Sequence, residues 1–554
     1  MAELPSKQFW AAFTPKLVTA WREGQIRKYW RQDALAGLTV AIVALPLAMA
    51  LGIASGASPN QGLVTAVIAG FLISLLGGSR VQIGGPTGAF VVIVAGVIAT
   101  HGYAGLILAT LLAGLILIAA GYAGLGRLIR FIPMPVVTGF TAGIAVIIAS
   151  SQVGDFLGLA TGAVPASFIA KWAMYLGAIK TTSPFTLAVG SATLALIVLL
   201  RRFAPQLPAF LIALLMASLT VGLLHLPVLT VGDRFPAMAT GIPAPHLPQM
   251  SLAMIQHLLP TAFTIAFLAG LEALLSATVA DGMTGYSHRS GQELVAQGAA
   301  NIASALFGGL PATGAIARTA TNIRAGGRTP LAGIFHSVFL LLFLLVAGKF
   351  IAHVPMAALA SVLLVVAWGM SEVERFKSLL KMDAAERALL LLTFGLTVFV
   401  DLTVAIGVGV TLASLVFMAR MSETARLLPD VLSIDDPAQR ASLPATVEVF
   451  RFAGPMFFGV ARDMLDTLRR IGRKPQTIIL RMDSVPYIDS SGASALEAFI
   501  RQAKSEGTNL LLCDLREQPS IFLAKMHPAF LGAEPVPTFQ AALDRLSPRS
   551  AIES

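Results

Sequence analysis

One short motif that could bind an anion occurs twice in the sequence. Gly-Pro-Thr-Gly-Ala fills 85–89, and Pro-Ala-Thr-Gly-Ala fills 311–315. Each copy opens a short apolar stretch, which is typical of a helix that begins inside a membrane. The first turn of such a helix leaves about four N–H groups unpaired and carries roughly half a positive charge. Two starts that converge from opposite faces would form an anion site made of backbone.

The residues of the two motifs have predicted roles at these helix starts. Thr87 and Thr313 are predicted to act as N-caps, and Pro86 and Pro311 stand where helix starts tolerate proline. The glycines and alanines allow a ligand to approach the backbone closely. The alternative interpretation is that these small residues only let helices pack.

A carboxylate lies in the middle of a predicted span. Glu272 is surrounded by leucines, and Ser276 follows on the same helix face. An ionisable group at this depth is costly, which makes it a functional candidate. Because burial favours the neutral acid, Glu272 and Ser276 are predicted to couple an anion to H⁺. Na⁺ ligation by this pair and a structural salt bridge from Glu272 to Arg318 are the alternatives.

Arg318 follows the second motif by about one helical turn. It either supplies positive potential to the site or caps a short helix at its cytoplasmic end, and the sequence leaves both open. The scattered histidines have no metal-ligand spacing, and no Walker motif is present. We therefore expect no metal, no cofactor, no enzymatic activity and no ATP-driven pumping.

The composition indicates where these residues lie. Hydrophobic residues make up 56% of the 554 positions and charged residues 12%, whereas a soluble domain has about twice that charge. This favours a polytopic α-helical membrane protein. The net charge of +10 is concentrated in the N-terminal arm and the loops between spans, which is the positive-inside pattern and not a nucleic-acid site. The single Cys513 excludes a disulfide framework.

Apolar runs long enough to cross a bilayer, each near ~20 residues, follow one another along most of the chain. The distribution of arginine and lysine in the connecting loops predicts that both termini are cytoplasmic, and no cleaved signal peptide is expected. Fourteen spans are predicted, at about 35–54, 60–78, 86–100, 103–123, 133–150, 184–200, 208–226, 258–280, 291–308, 313–325, 329–348, 356–371, 386–400 and 402–420.

An internal repeat relates the two halves. Seven residues between Gln61 and Gly78 recur 231 positions later, between Gln292 and Gly309. Seven spans separate the two copies, and an odd number turns the second copy upside down, so inverted repeats at about 35–226 and 258–421 are predicted. Chance similarity between helices rich in glycine and alanine is the alternative.

The composition changes after the last span. Residues 1–34 are predicted to be a cytoplasmic arm, 35–421 the transmembrane domain, 422–445 a polar linker and 446–554 a small α/β domain. Predicted strands at 446–452, 477–482 and 509–513 alternate with predicted helices at 460–471, 491–505, 518–526 and 538–546. This alternation favours a mostly parallel sheet with helical cover.

These features together resemble the SulP family of anion transporters, the sulfate permeases and related solute carriers, over nearly the whole chain. The resemblance rests on 44–50 in the first span, on the motifs at 84–89 and 307–318, and on the turn at 324–329. The C-terminal domain is similar to a STAS domain. The resemblance implies a seven-plus-seven inverted repeat divided into core and gate domains, an elevator-like motion and a homodimer in the bacterial inner membrane.

The resemblance also implies a site between the starts of the third and tenth helices. Members that use Na⁺ have aspartate and threonine where this chain has Glu272 and Ser276, which favours H⁺. The chain is most similar to bacterial members that move C4-dicarboxylates with protons, while sulfate and bicarbonate remain open. With the motif residues included, the predicted substrate contacts are Leu51, Thr87, Gly88, Ala89, Thr313, Gly314, Ala315, Ile316, Ala317 and Arg318.

The STAS-like domain has a candidate regulatory position. In bacterial anti-sigma-factor antagonists the matching serine is phosphorylated, which the resemblance places at Ser490 or Ser491. An ordinary N-cap turn is the favoured interpretation of these serines. The domain is expected to regulate transport or to contact a cytoplasmic protein partner. The predicted function is secondary active anion transport, with an anion channel or a membrane sensor as rivals.

Overall fold

The computed structural model describes residues 12–127, 133–162, 164–165, 167–205, 207–236, 241–248, 250–424, 426–429, 444, 446–457, 475–525 and 533–546. The chain divides into two compact units, Met1–Thr411 and Leu412–Ser554. Eight of the described helices are long and apolar enough to cross a membrane.

Each of the fourteen predicted spans overlaps a helix. The third and fourth form one helix that is broken at Gly102, whose φ of 67° is in the left-handed region that favours glycine. The helices at the predicted spans are α1 (Gln25–Ala54), α2 (Pro59–Leu76), α3 and α4 (Val91–Tyr122, before and after Gly102), α5 (Met134–Leu157), α6 (Pro184–Phe203), α7 (Ala209–Leu224), α8 (Leu252–Thr284), α9 (Ser290–Leu306), α10 (Ile316–Arg324), α11 (Leu331–Ile351), α12 (Met356–Met370), α13 (Ala384–Phe399) and α14 (Leu402–Thr424). Shorter helices at Lys16–Arg22, Phe168–Ala178, Val231–Arg234 and Val373–Leu379 lie outside these spans.

The helices pack in two groups, which are the core and gate of the fold. In the core, α1 packs on α11, α2 on α9 and α11, and the α3–α4 helix on α8 and α9. In the gate, α5 packs on α12 and α13, and α6 packs on α7 and α12. Small residues make the core contacts close, since a Cβ at Gly298 would lie 2.5 Å from the carbonyl oxygen of Gly114. Such close backbone approach is typical of membrane helix pairs.

Two short strands join the halves of the inverted repeat. β1 (Gly84–Gly85) comes shortly before α3, and β2 (Thr313–Gly314) comes shortly before α10. They pair antiparallel, with Gly84 opposite Gly314. The two broken segments that the sequence predicts therefore meet, and the predicted inverted-repeat fold is confirmed.

The second unit contains a five-stranded sheet in the order β3-β4-β5-β6-β7. The strands are β3 (Arg426–Pro429), β4 (Val447–Ala453), β5 (Thr477–Ser484), β6 (Asn509–Cys513) and β7 (Ala533–Val536). β4 to β7 are mutually parallel, and β3 is antiparallel to β4. The mostly parallel sheet is therefore confirmed.

Helices α15 (Ser490–Ser505), α16 (Glu517–Lys525) and α17 (Phe539–Leu546) accompany this sheet. Alternate residues of β5 face two different clusters, with Leu480 packed near Phe499 and Ile479 near Val449. The predicted helix at 460–471 lies outside the described residues. Cys513 is buried in β6, and burial raises the pKa of its thiol to about 12, so this thiol is a packing group and not a nucleophile.

Candidate functional site

A cavity of about 510 Å³ lies between the core and the gate, at the starts of α3 and α10. Its gate wall includes Thr141 of α5, Phe210 of α7 and Met370 of α12. Its core wall contains most of the residues that the sequence singles out, namely Leu51, Thr87, Gly88, Glu272, Gly314, Ala315, Ile316, Ala317 and Arg318. The structure thus brings both motifs and the mid-span carboxylate to one space.

The start of α3 is a gradual one. Thr87 is extended (φ −127°, ψ 159°) and precedes a 3₁₀ turn, Gly88–Phe90, which leads into α3. Thr87 holds the N-cap position, but its side chain does not cap the turn. Its hydroxyl instead donates to the Oε2 atom of Glu272, 2.9 Å away. The side-chain capping predicted for Thr87 is therefore wrong, because the hydroxyl is directed at the carboxylate of α8 and accepts from no N–H group of the turn.

The start of α10 is built differently. The N-cap is Ala315, and Thr313 lies in β2 with its hydroxyl donating to the backbone oxygen of Ala269 at 2.6 Å. The predicted N-cap role of Thr313 is wrong because strand pairing keeps this segment extended. The N–H of Ala315 donates to the carbonyl oxygen of Ile83 at 2.9 Å, which continues the pairing one residue beyond Gly314 and delays the helix.

Arg318 crosses from one repeat to the other. It lies in the first turn of α10 and is only 3% exposed. Its guanidinium donates to the carbonyl oxygens of Gly84, at 3.3 Å, and Pro86. Interpreting Arg318 as a cap at the far end of a short helix is therefore wrong, because the side chain holds the opposite connector. Gly85 makes room for it, since a Cβ there would lie 2.5 Å from the Nη1 atom of Arg318.

Glu272 and Ser276 have separate partners. Among the described residues, the Glu272 carboxylate accepts from Thr87 and forms no contact ion pair with Arg318. Ser276 is fully buried, and its hydroxyl lies 3.2 Å from the Oγ1 atom of Thr319 in α10. Glu272 thus faces the cavity, whereas Ser276 contacts the α10 wall behind it. Ala89 and Thr313 are buried beside the cavity without lining it.

Buried polar residues that hold the connector before β2 escaped the sequence analysis. Asn301 of α9 brackets Ala312, accepting from its N–H at 2.9 Å and donating to its carbonyl oxygen at 2.8 Å. The hydroxyl of Thr65 in α2 accepts from the N–H of Leu310 at 2.6 Å. These side chains hold the connector where water cannot pair its backbone.

The connector before β1 is held by a carboxylate on the same helix as Asn301. Glu293 accepts from the N–H groups of Gly78 at 2.8 Å and Ser79 at 3.1 Å, and from the side chain of Gln297. The signal in the sequence was the run of polar residues in α9, an otherwise small and apolar segment.

The two serines of the second unit stand at the start of α15. The N-cap is Asp489, whose carboxylate accepts from the N–H of Gly492 at 2.8 Å. Ser490 and Ser491 follow in the first turn and are exposed. The geometry fits the favoured interpretation of an N-cap turn, with aspartate as the capping residue.

Comparison with known proteins gives two family matches. The profile of the sulfate permease family matches residues 30–393, and that of the STAS domain matches residues 442–531. Over 505 residues the chain is 40% identical to a putative sulfate transporter, YvdB, of Bacillus subtilis, covering 90% of this chain and 93% of that protein. Over 495 residues it is 31% identical to the bicarbonate transporter BicA of Picosynechococcus, covering 85% and 86%.

Two solved structures are similar in fold. The murine Solute Carrier 26 family member A9 anion transporter, in the inward-facing state, has a TM-score of 0.85 at 17% identity and covers 98% of this chain and 95% of its own. The transmembrane domain of a cyanobacterial bicarbonate transporter, BicA, has a TM-score of 0.61 at 33% identity, covering 68% of this chain and 97% of its own.

Proposed function

The chain belongs to the sulfate permease family, and from that premise we propose that it is a secondary active transporter of a small oxyanion in a bacterial inner membrane. Sulfate and bicarbonate are the proposed substrates, since relatives are named for these two anions. The observation that carries the proposal is the cavity in which the starts of α3 and α10 meet.

The attraction for the anion comes from backbone. The N–H groups of Gly88 and Ala89 at one start, and of Ile316 and Ala317 at the other, precede any residue that could pair them within their own helices. Both helix dipoles place positive potential at the same end of the cavity. An oxyanion offers several acceptor oxygens to such donors.

Glu272 is the proposed coupling group. Its ionised carboxylate puts a negative charge on the wall that the anion must approach, and Arg318 does not neutralise it by direct contact. Protonation removes that repulsion, so anion and H⁺ bind together. The partner of Ser276 is Thr319 and not the carboxylate, which favours H⁺ over Na⁺ because a Na⁺ site would need both oxygens to converge.

The proposed motion follows from the division between core and gate. Both helix starts and Glu272 belong to the core, while the opposite wall of the cavity belongs to the gate. Sliding the core along the gate would carry the anion and proton in an elevator-like step. A homodimer would hold the gate still, and the STAS domain would regulate the motion or bind a cytoplasmic protein.

The cavity continues from the helix starts to Arg201 at the end of α6 and Glu372 beyond the end of α12. The loops on this side carry the arginine-rich sequence, so we place it in the cytoplasm by the positive-inside rule. The cavity would then be open inward.

The test is uptake into proteoliposomes with the membrane potential clamped at zero. An inward proton gradient should drive radiolabelled sulfate above its equilibrium level, because the coupled proton supplies the work. A channel would only equilibrate the anion. Fumarate in parallel tests the predicted dicarboxylate transport, and protein-free vesicles are the control. Equilibration alone for every anion would contradict coupled transport.

Glu272→Gln sharpens the test. The amide oxygen still accepts from Thr87, but the side chain no longer takes up a proton. We expect loss of proton-driven accumulation with anion binding retained. Glu293→Gln is the control with the same chemical change. The buried Glu293 carboxylate binds the connector at Gly78 and does not line the described cavity. Unchanged pH dependence in Glu272→Gln would refute the coupling role.

A further inference from the structure

Four charged residues line the cavity in the part of the chain that the structure describes. Glu272 and Arg318 stand at the helix starts, and Arg201 and Glu372 stand at the mouth. Arg318 is 3% exposed and donates to the carbonyls of Gly84 and Pro86. Two of its nitrogens are therefore held by the protein, deep in the cavity. Arg201 is exposed and is the cation that an arriving anion meets first.

Arg201 has an aromatic neighbour at the mouth. Its guanidinium carbon lies 5.8 Å from the centre of the Phe210 ring, and Phe210 also lines the cavity. A cation over an aromatic face is attracted by the ring. No carboxylate pairs with Arg201 among the described residues. The positive charge of Arg201 at the mouth is therefore not neutralised by one of these carboxylates.

Glu372 has a partner of its own. It adopts φ 41° and ψ 47°, a left-handed conformation that is uncommon for a residue other than glycine. Its carboxylate lies 2.7 Å from the Nη1 atom of Arg375. The negative charge at the mouth is thus opposed by a neighbouring cation, whereas the positive charge of Arg201 is not. The mouth is net attractive to anions.

We propose that Arg201 is the residue that captures the anion at the mouth and that it selects by charge number. This inference rests on the proposed function. The Coulomb energy is proportional to the charge of the ligand. A divalent anion therefore gains twice the binding free energy of a monovalent one from the same arginine. The factor by which the arginine raises the binding constant of the monovalent anion is squared for the divalent one. Arg201 favours sulfate over bicarbonate.

A purely structural role for Arg201 is the competing explanation. Arg201 and Arg202 both lie in the last turn of α6, where cations stabilise a helix end. Arg202 is also exposed, and it lies over the ring of Phe203 and does not line the described cavity. Arg202→Gln is therefore a matched control, with the same helix end and the same loss of charge but no change at the mouth.

The experiment measures binding of sulfate and, separately, of bicarbonate to the purified full-length protein by calorimetry at low ionic strength. For Arg201→Gln we expect affinity to fall about threefold for bicarbonate and about tenfold for sulfate. The loss should shrink at about 0.5 M salt, where exposed charges are screened. Arg202→Gln should bind as the wild type does, and Arg201→Lys should restore most of the affinity.

The outcomes separate the two proposals. Equal losses for both anions, or equal effects of Arg201→Gln and Arg202→Gln, would overturn charge selection at the mouth while the site at the helix starts stands. A wild-type protein that binds neither anion would overturn the proposed function and this inference with it. Thermal unfolding of each variant distinguishes a loss of affinity from a loss of folded protein. If Arg201→Gln does not fold, Arg201→Lys supplies the comparison with the wild type.

Discussion

The starts of α3 and α10 carry nearly the same five residues, but these residues form different hydrogen bonds. At the α3 start the threonine hydroxyl binds a carboxylate that faces the cavity. At the α10 start the threonine lies two residues before the N-cap and binds a backbone oxygen of α8. The first start therefore contacts the carboxylate that we propose as the coupling group, and the second carries the arginine that binds the connector before the first. Two nearly identical motifs of the inverted repeat therefore make different contacts.

The contrast between the two helix starts is tested most severely at one glycine in each of the paired strands β1 and β2, Gly85 and Gly314. Gly85 has a φ of 142°, and an added Cβ would meet the guanidinium of Arg318, which is held by two carbonyls. We expect Gly85→Ala to destabilise the protein by roughly 2–4 kcal/mol and to abolish transport. The measurement is thermal unfolding together with sulfate uptake.

The matched change at the other strand is Gly314→Ala. An added Cβ there would lie 1.6 Å from the Nε2 atom of Gln82, a buried side chain that donates to the carbonyl oxygen of Ala273, but Gly314 has no positive φ. A loss of stability is expected there from crowding alone, without the left-handed backbone strain of Gly85. Gly96→Ala in α3 meets nothing within 4 Å and should unfold as the wild type does. An equal loss in Gly85→Ala and Gly314→Ala would show that Arg318 does not distinguish the two strands.

A second asymmetry lies in the connectors. Asn301 satisfies both backbone groups of Ala312, and the equivalent residue of the first repeat, 231 positions earlier, is Gly70. Asn301→Ala leaves a buried N–H and a buried carbonyl without partners, which costs about 1–3 kcal/mol for each such group. We expect a marked fall in the unfolding temperature.

Asn60→Ala is the control for the connector. Its side chain donates a single hydrogen bond, to the carbonyl oxygen of Gly241, and only a small change in the unfolding temperature is expected. If the two alanine variants unfold at the same temperature, the connector before β2 does not depend on Asn301.

The smallest change compares the two threonines directly. Thr87→Val removes the donor to Glu272 with little change of shape, so the carboxylate loses a partner and the pH dependence of sulfate binding should move to higher pH. Thr313→Val removes a bond to the oxygen of Ala269 and should cost about 1 kcal/mol of stability without moving the pH dependence. A shift of similar size in both variants would contradict the division of tasks.

The sequence predicts the spans and the inverted repeat because both depend on local signals. The length of each apolar run determines a span, and the equal spacing of residues such as Gln61 and Gln292 reveals the repeat. The α/β pattern of the second unit is local in the same way. These parts of the fold required no knowledge of which segments touch.

The features that the sequence analysis missed depend on contacts between distant segments. The sequence predicts an N-cap at Thr313 because nothing nearby shows that Ala315 pairs with Ile83 across the repeat. The partner of Arg318 is more than 230 residues away. Arg201 lines the cavity only because the connection between α6 and α7 reaches the same space as α10. Helix propensity and hydrophobic periodicity carry no information on such contacts between distant segments.

The most direct test of the account is to locate a bound anion. Selenate, an analogue of sulfate with strong anomalous scattering, can be soaked into crystals of the full-length protein. We expect one peak between the starts of α3 and α10, with oxygens about 2.7–3.2 Å from backbone nitrogens of both. A peak elsewhere in the protein, or no peak between these helix starts in a protein that binds selenate in solution, would contradict the proposed anion site.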